Sequence, residues 1–233
     1  MSLSHSPLIV RDGLVLCLDA ANPRSYPKSG TTWSDLKGSN NGTLASATFS
    51  SDNRGHIAMD GTDDSIDMSA DSITPSLPLS FSCWVYFDNT ESTVQVFHSS
   101  TGSSTYSGFW VQRSSSNKIS ITFGDNNGSS SSHYRRTKLS TQTVDAGKWL
   151  NFVGIMRGAT DMDLYVDGIN YAGGYSGTGG SLDYKTGGVP KIGYKNTSYG
   201  DSFKISQMLI YNRALTASEV LQNYNATRGR YGY

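Results

Sequence analysis

The segment 149–168, WLNFVGIMRGATDMDLYVDG, constrains the fold more strongly than any other part of the chain. Its first half, 149–156, is apolar on both faces, and its second half, 161–167, alternates between apolar and polar residues. Alternation of this kind is typical of a strand with one buried face, and Asp167-Gly168 is a turn dipeptide. The segment therefore predicts a β-hairpin whose first strand lies centrally, which requires a second sheet to cover it.

Similar apolar runs separated by turn residues recur along most of the 233 residues. Further strands are predicted at 13–19, within 56–68, and at 79–88, 94–98, 108–113, 118–123, 133–138, 191–194 and 202–211, with a Gly- and Tyr-rich loop at 170–188. The predicted fold class is all-β: a single two-sheet antiparallel β-sandwich, a jelly roll, over residues 1–233, with an N-terminal arm at about 1–12.

One short helix is predicted near the C-terminus, because Thr216 and Glu219 form a capping-box pattern before an apolar stripe. We expect this helix to dock on a sheet edge. The tail that follows, at about 226–233, is basic and aromatic. It is expected to fray if isolated, or to dock on a neighbouring subunit.

The charge balance argues against several classes of partner. There are 19 basic and 19 acidic residues, so no basic face for nucleic acid or for an anionic membrane is indicated. No apolar run approaches the roughly 18 residues of a membrane span, so membrane insertion is not expected. The first residues lack the pattern of a signal peptide. Cys17 and Cys83 lie in predicted strands, where two buried thiols are favoured over a disulfide.

The densest acidic cluster is a candidate metal site. Asp60, Asp63 and Asp64, with Asp67 close by, could supply oxygen ligands to Ca²⁺, and Asp125 with Asn126 is a weaker candidate. The alternative is that these aspartates cap a turn through their own backbone. No cofactor is required by the sequence, and Ca²⁺ is the candidate ion.

A second candidate site would bind carbohydrate. Sugar recognition uses an aromatic face for the pyranose ring and polar side chains for its hydroxyls. The loops and middle strands supply both kinds of residue. The candidate ligand-binding residues are Tyr106, Trp110, Gln112, Asp125, Asn126, His133 and Arg135. The alternative for Trp110 is a core position, since Phe109 and Val111 alternate with it.

Catalytic candidates are few. Retaining glycosidases use two carboxyl groups about 5–5.5 Å apart, and the chain has only the glutamates Glu91 and Glu219. Asp161 and Asp163 share a strand face and are the best acid pair, although solvated outward aspartates are the more common case. The four histidines show no metal-ligand spacing. The protein is therefore predicted not to be an enzyme.

Several motifs carry a resemblance to a known family. In chain order they are GLVLCLDA, MDGTDDSIDM, FSCWVYF, KWLNFVGIMRG, MDLYVDG, KIGY and FKISQMLIYNRALTASEVLQNYNATRGRY. Together they resemble the laminin-G-like or concanavalin A-like lectin/glucanase jelly rolls over nearly the whole chain. The last of these motifs contains the stretch IYNRAL, and that family usually carries an acidic residue two or three positions before it. In this chain the corresponding residues are Ile205-Ser206-Gln207-Met208.

The opening 6–38 and the ending NYNATRGRYG further resemble lectin-like proteins encoded by tailed bacteriophages, many of them virion components. This resemblance implies a non-catalytic module of a phage fibre, tail or capsid surface, made in the host cytoplasm and located in the virion. Its expected partners are host-surface carbohydrate, virion proteins and further copies of itself in a homo-oligomer. The alternatives are a purely structural decoration protein that binds virion neighbours and a glycan-degrading enzyme.

Overall fold

The computed structural model describes residues 7–89, 93–102, 104–195, 198–199 and 202–233. Within these residues the chain is built from short strands and a single α-helix. In chain order the strands are β1 Leu14–Asp19, β2 Thr32–Trp33, β3 Gly42–Ala45, β4 Thr48–Ser50, β5 His56–Met59, β6 Ser65–Asp67, β7 Leu79–Phe87, β8 Val94–Thr101, β9 Ser107–Arg113, β10 Ile119–Asp125, β11 Arg135–Ser140, β12 Trp149–Gly158, β13 Asp161–Val166, β14 Ile169–Tyr171, β15 Gly173–Ser176, β16 Val189–Ile192, β17 Tyr194–Lys195, β18 Ser198–Tyr199 and β19 Phe203–Tyr211. The helix α1 spans Ala217–Thr227, and single 3-10 turns lie at Asp52–Arg54, Ser132–Tyr134 and Arg228–Arg230.

The strands form two large antiparallel sheets, which confirms the predicted sandwich. The back sheet has the order β14-β13-β12-β7-β19-β5-β4, and β1 pairs with the part of β19 that β5 leaves open. The front sheet has the order β15-β11-β10-β9-β8-β16-β6-β3-β2. The strands β17 and β18 form a separate small hairpin.

The core lies between the two sheets and is filled by large side chains from both inner faces. The rings of Phe81 on β7 and Phe97 on β8 stack across the interface with centroids 5.7 Å apart. The two sheets are in tight contact where Gly154 of β12 faces Ile121 of β10, since a Cβ atom at Gly154 would lie 2.4 Å from Ile121. Any side chain there would force the two layers apart.

The predicted hairpin is present as β12 and β13. β12 lies between β13 and β7, as expected for a strand that is apolar on both faces. Asp167 and Gly168 both have positive φ, 53° and 80°, the geometry of a type I′ turn. The Asp167 carboxylate also accepts a hydrogen bond from the backbone N–H of Asn151, which ties the turn to β12.

The helix begins with the predicted capping box, but it docks on a sheet face and not on an edge. Its Val220 side chain belongs to an apolar cluster with Val153, Ile155 and Leu209 on the outer face of the back sheet. Apolar side chains on that second face of the central strands need their own cover, which the helix provides. The prediction of edge docking was therefore wrong.

The C-terminal tail also packs on the back sheet of its own chain. Tyr231 is buried against Trp84 and Trp149, so the tail neither frays nor needs a neighbouring subunit to hold it. The loop predicted at 170–188 was wrong in part, because it contains most of β14 and all of β15. β15 has the sequence Gly-Gly-Tyr-Ser, and glycine is uncommon in strands. It forms a strand through backbone hydrogen bonds with β11, which the side-chain pattern does not predict.

The two cysteines are free and buried, as the sequence favoured. Burial raises the pKa of Cys17 to about 12 and raises that of Cys83 as well. Among the described residues, no helix has the length and apolar character that crossing a membrane requires.

Candidate functional site

The structure settles which way Trp110 faces. Phe109 and Val111 on either side of it belong to the core, so Trp110 and Gln112 lie on the outer face of the front sheet. Trp110 is nevertheless only 7% exposed, while Gln112 is half-buried. The Trp110 ring therefore forms part of a packed surface and does not stand free in solvent.

Two side chains lie against Trp110 and a third lies against one of these, and we call the four together the Trp110 cluster. The ring centroid of His98 on β8 lies 5.2 Å from that of Trp110, and that of Tyr106 lies 5.8 Å away in a stacked arrangement. The guanidinium of Arg135 on β11 lies over the Tyr106 ring, 5.3 Å from its centroid. The cluster thus runs across β8, β9 and β11 on one face of the front sheet.

A glycine makes room for this arrangement. In the β10–β11 register, Gly124 lies opposite Arg135, and in the β9–β10 register it lies opposite Gly108. A Cβ atom at Gly124 would lie 2.2 Å from the carbonyl oxygen of Tyr106 and 2.8 Å from its Cβ. Because Gly124 has no side chain, Tyr106 can lie across the sheet between Trp110 and Arg135.

One hydrogen bond fixes the tautomer of the His98 ring. Its Nε2 lies 2.9 Å from the carbonyl oxygen of Ser107, which can only accept, so Nε2 carries the hydrogen. Burial lowers the pKa of His98 to about 4, so the ring is neutral at pH 7. Its Nδ1 atom is then an acceptor, and it has no hydrogen-bond partner among the described residues.

Two other buried polar atoms near the cluster share this property. Gln95 and Ser120 both lie opposite Gln112 in the strand register, one on each side. The Gln95 Oε1 and Ser120 Oγ atoms have no partner within the described part of the chain. Buried polar groups are normally satisfied by protein, water or ligand, so these atoms indicate a place for a polar guest or an ordered water.

Two of the predicted ligand residues make hydrogen bonds within the protein. Asn126 donates its backbone N–H to the Tyr106 carbonyl (2.8 Å) and accepts at Oδ1 from the Thr105 hydroxyl (2.7 Å). The Asp125 carboxylate accepts from the backbone N–H of Asn127 (3.0 Å). Asn126 therefore holds the loop that carries Tyr106, and Asp125 caps its own turn.

His133 lies in the 3-10 turn before β11 and is exposed. Its Nδ1 atom is 2.7 Å from the Ser131 hydroxyl, and its ring lies 3.8 Å from that of Tyr134. These contacts do not join it to the Trp110 cluster. Of the seven predicted residues, Tyr106, Trp110 and Arg135 lie within the cluster, and Gln112 lies beside it on the same face.

The sequence missed His98, Gln95 and Ser120. A single histidine or serine in a strand carries no signal by itself, and its position opposite Trp110 or Gln112 depends on strand register. Register is set by long-range packing and turn geometry, which the local pattern does not report. The glycine at 124 was visible in the sequence, but its role depends on the loop that crosses it.

The acidic cluster also comes together. Ligand oxygens of Asp60, Asp63 and Asp64 all lie within 4.8 Å of one another, in the connection from β5 of the back sheet to β6 of the front sheet. The cluster lines a cavity of about 360 Å³. The Ser46 hydroxyl donates to Asp63 at 3.0 Å.

The same aspartates cap their turn, as the alternative interpretation proposed. Asp60 accepts from the backbone N–H of Thr62 (2.7 Å), and Asp64 accepts from the backbone N–H of Asp60 (2.6 Å). Burial, and then the charges of Asp60 and Asp63, raise the pKa of Asp64. A bound cation would relieve this repulsion, and oxygen is the donor type that Ca²⁺ takes. Three carboxylates supply only part of six to eight ligands, so carbonyl groups or waters would supply the rest.

The carboxylates considered for catalysis are held by arginines. Arg157 pairs with Asp163 at 3.0 Å and with Asp161 at 3.3 Å. Arg213 binds Glu219 through two hydrogen bonds and holds its pKa at about 2, so Glu219 is ionised at neutral pH. Glu91 lies outside the described residues.

A model of a known protein family matches most of the chain. Residues 60–221 match the Laminin_G_3 model, described as the Concanavalin A-like lectin/glucanases superfamily. The chain belongs to this superfamily. The match begins at the acidic cluster and ends inside α1, so it includes the strands of the Trp110 cluster. No curated protein matches the chain.

Several solved structures share the fold of this chain at low sequence identity. Trypanosoma rangeli sialidase superposes with a TM-score of 0.69 at 14% identity, over 99% of this chain and 37% of that one. The receptor-binding domain of botulinum neurotoxin C/D mosaic serotype gives a TM-score of 0.65 at 14% identity, over 91% of this chain and 51% of that one. A structure titled for the interaction of botulinum neurotoxin type C with two ganglioside molecules gives 0.62 at 13% identity, over 92% and 51%. The chain thus spans about a third to a half of these proteins, and the likeness concerns the fold.

Proposed function

We propose that this protein is a non-catalytic carbohydrate-binding module whose ligand lies on the outer face of the front sheet. The observation that carries the proposal is the Trp110 cluster, an aromatic pair capped by Arg135 beside buried acceptors without partners. Aromatic rings bind the apolar face of a pyranose, and acceptors such as Gln95 Oε1 and His98 Nδ1 suit its hydroxyl donors.

The accessible part of this surface consists of the half-buried side chains of Tyr106, Gln112 and Arg135. Trp110 supports Tyr106 from below, and the unsatisfied acceptors are buried. A sugar hydroxyl would therefore reach them through a bridging water or after a small shift of a covering side chain. The guanidinium of Arg135 favours a sugar that carries a carboxylate.

A glycan array that includes sialylated and neutral oligosaccharides tests the proposal. Similar structures are titled as complexes with sialic acid or for ganglioside interaction, which guides the choice of probes. We expect Tyr106→Ala, Gln112→Ala and Arg135→Gln each to weaken binding by about tenfold or more. The matched controls Tyr233→Ala and Arg228→Gln lie on the other side of the molecule and should leave binding unchanged.

Wild-type protein that binds no array glycan, or front-sheet variants that bind as the wild type does, would refute this assignment. Release of reducing sugar from a bound polysaccharide would instead favour a glycan-degrading enzyme.

A second candidate function is attachment to protein neighbours, and the surface around α1 favours it. The large apolar side chains with the highest exposure among the described residues are Leu8, Ile169, Leu221 and Tyr233. α1 carries Leu221, the Gln222 side chain donates to the Leu8 carbonyl, and Tyr233 approaches Tyr224 of the helix. Ile169 follows the Asp167-Gly168 turn, which lies against Leu221. Exposed apolar groups gathered in this way are typical of protein-binding surfaces.

We further propose that the protein is a component of a bacteriophage virion, either as a carbohydrate adhesin or as a decoration protein. This part of the proposal is supported by the sequence resemblance of the opening and closing segments alone. Purified virions examined with an antibody to this protein should show it in the particle.

A mass measurement in solution tests the expected homo-oligomer, and Leu221→Ser should weaken assembly if the surface around α1 is the interface.

A further inference from the structure

A second cavity, of about 570 Å³, lies on the opposite side of the molecule from the Trp110 cluster. It is bounded by the N-terminal arm at 7–11, the loops that follow β1 and β2, and the C-terminal end of α1 with the tail. A volume of this size is in the range of small-molecule sites, which is about 300–1,000 Å³.

The floor of this cavity is polar and contains the Asp19 carboxylate, whose charge is balanced by Arg230. Asp19, which is 5% exposed, accepts two hydrogen bonds of 2.8 Å from Arg230 and one of 3.2 Å from Gln207. Asp19 also accepts from the backbone N–H of Ala21 (3.1 Å). Since both of its oxygens are occupied, Asp19 is compensated inside the protein and does not call for a cation from outside.

The rim of the cavity is strongly cationic. Arg11, Arg24 and Lys37 are exposed and line the cavity, and within the described residues none of them has an ion-pair partner. The lining thus combines four cationic side chains with a single carboxylate. The lining also has an apolar part, which consists of Leu8, Ile9, Leu14 and Leu36.

We infer that this cavity binds a small organic anion. The carboxylate or phosphate group of the ligand would lie at the rim near Arg24 and Lys37, and its short apolar body would lie along the leucine and isoleucine wall. Cations arranged around a concave surface attract anions, and a partly dry apolar wall adds affinity for the non-polar part. The floor pair Asp19–Arg230 gives the cavity a rigid base.

The inference is independent of the proposed carbohydrate function, because it concerns the back sheet and uses none of the residues of the Trp110 cluster. A module with both sites could hold a glycan on one face while an amphipathic anion occupies the other. Failure of either proposal leaves the other unaffected.

Amide NMR of the full chain tests the inference, with octanoate, octyl phosphate, inorganic phosphate and uncharged octyl glucoside as probes. We expect octanoate and octyl phosphate to shift the backbone amides of Cys17, Asp19, Thr227 and Arg230 in a saturable way. Octyl glucoside and inorganic phosphate should each bind at least tenfold more weakly, because octyl glucoside lacks the anionic group and inorganic phosphate lacks the apolar chain.

The double variant Arg24→Gln/Lys37→Gln should weaken octanoate binding at least tenfold. The charge-matched control Lys118→Gln/Lys148→Gln, on two other turns, should bind within twofold of the wild type. For the wild type itself, raising NaCl from 50 to 500 mM should weaken octanoate binding several-fold, a measurement that needs no variant.

Equal binding of octanoate and octyl glucoside would overturn the inference. So would saturable shifts confined to other amides, the absence of any saturable shift, or octanoate affinity that neither salt nor the double variant changes.

Discussion

The ring of Tyr231 in the C-terminal tail lies 4.0 Å from the ring of Trp84 on β7, with an angle of 22° between their planes. Trp84 is fully buried on the outer face of the back sheet, and its indole N–H donates to Thr227 at the end of α1 (2.8 Å). Trp149 approaches Tyr231 from a second side at 5.0 Å. The last residues of the chain are therefore a packed layer of the domain.

Replacement of Tyr231 by Ala should destabilise the protein by about 3 kcal/mol, since deleting a buried aromatic side chain leaves a cavity. Urea denaturation followed by tryptophan fluorescence measures the free energy of unfolding. Tyr233→Ala is the matched control and should cost about 1 kcal/mol or less, because Tyr233 is 46% exposed. Equal costs for the two variants would show that the tail does not pack as described.

The ion pair of Asp19 and Arg230 joins the tail to β1 and is largely buried. Arg230→Gln should cost about 2–3 kcal/mol, because it leaves the Asp19 carboxylate buried without its cation. Asp19→Asn combined with Arg230→Gln should cost less than the sum of the single changes. The double-mutant cycle in urea measures this coupling, and additive costs would contradict it. Arg228→Gln, on an exposed neighbour, is the control.

Much of this architecture could be predicted, because local sequence patterns determine the strands and the start of the helix. The alternation along β13 identified its buried face, and Thr216 with Glu219 marked the start of α1. Trp84, on the outer face of β7, is covered by Tyr224 of α1 and by Tyr231 of the tail. Which segment supplies that cover could not be predicted, because Tyr231 and Trp84 meet only through the tertiary fold.

The candidate site shows the same division between local and long-range information. Residue type selected Tyr106, Trp110 and Arg135 as candidates, and the structure brings these three side chains together. His98 joined them only through the β8–β9 register, which contains a bulge between Gln95 and Phe97. A bulge reverses the expected facing of every later residue in the strand, so no local pattern could place His98.

His98 should make stability depend on pH below neutrality. Burial lowers its folded-state pKa from 6.5 to about 4, so the unfolded chain takes up a proton first as the pH falls. The free energy of unfolding should therefore fall between about pH 6.5 and pH 4, by about 2 kcal/mol for this residue.

Urea titrations at pH 7 and pH 4.5 test this, comparing the wild type with His98→Gln. The variant should lose less stability on acidification than the wild type does. It should retain some pH dependence, because burial also lowers the pKa of His56. The control His133→Asn, at an exposed position, should behave like the wild type. A His98→Gln profile parallel to that of the wild type would be evidence against a neutral buried ring.

Gly124→Ala tests the geometry of the Trp110 cluster without touching any proposed ligand contact. The added methyl group would meet the Tyr106 carbonyl at 2.2 Å, so the loop that carries Tyr106 must move. We expect glycan binding to weaken by about tenfold and stability to fall by about 1–3 kcal/mol, as for overpacked sites. The matched control is Gly174→Ala on β15, where a Cβ atom meets nothing within 4 Å. If Gly124→Ala bound glycan as the wild type does, the position of Tyr106 would not matter for recognition.

Calcium should stabilise the protein through the acidic cluster. A cation among Asp60, Asp63 and Asp64 would offset their mutual repulsion, and ligand at a hundred times its Kd stabilises a folded protein by about 2.7 kcal/mol. For a chain of this size, that corresponds to a rise in Tm of about 5–10 °C, reversed by EDTA. Asp63→Asn should abolish the rise, whereas the control Asp161→Asn, which removes an exposed charge that pairs with Arg157, should keep it. A thermal melt that is identical with calcium and with EDTA would leave turn capping as the role of these aspartates.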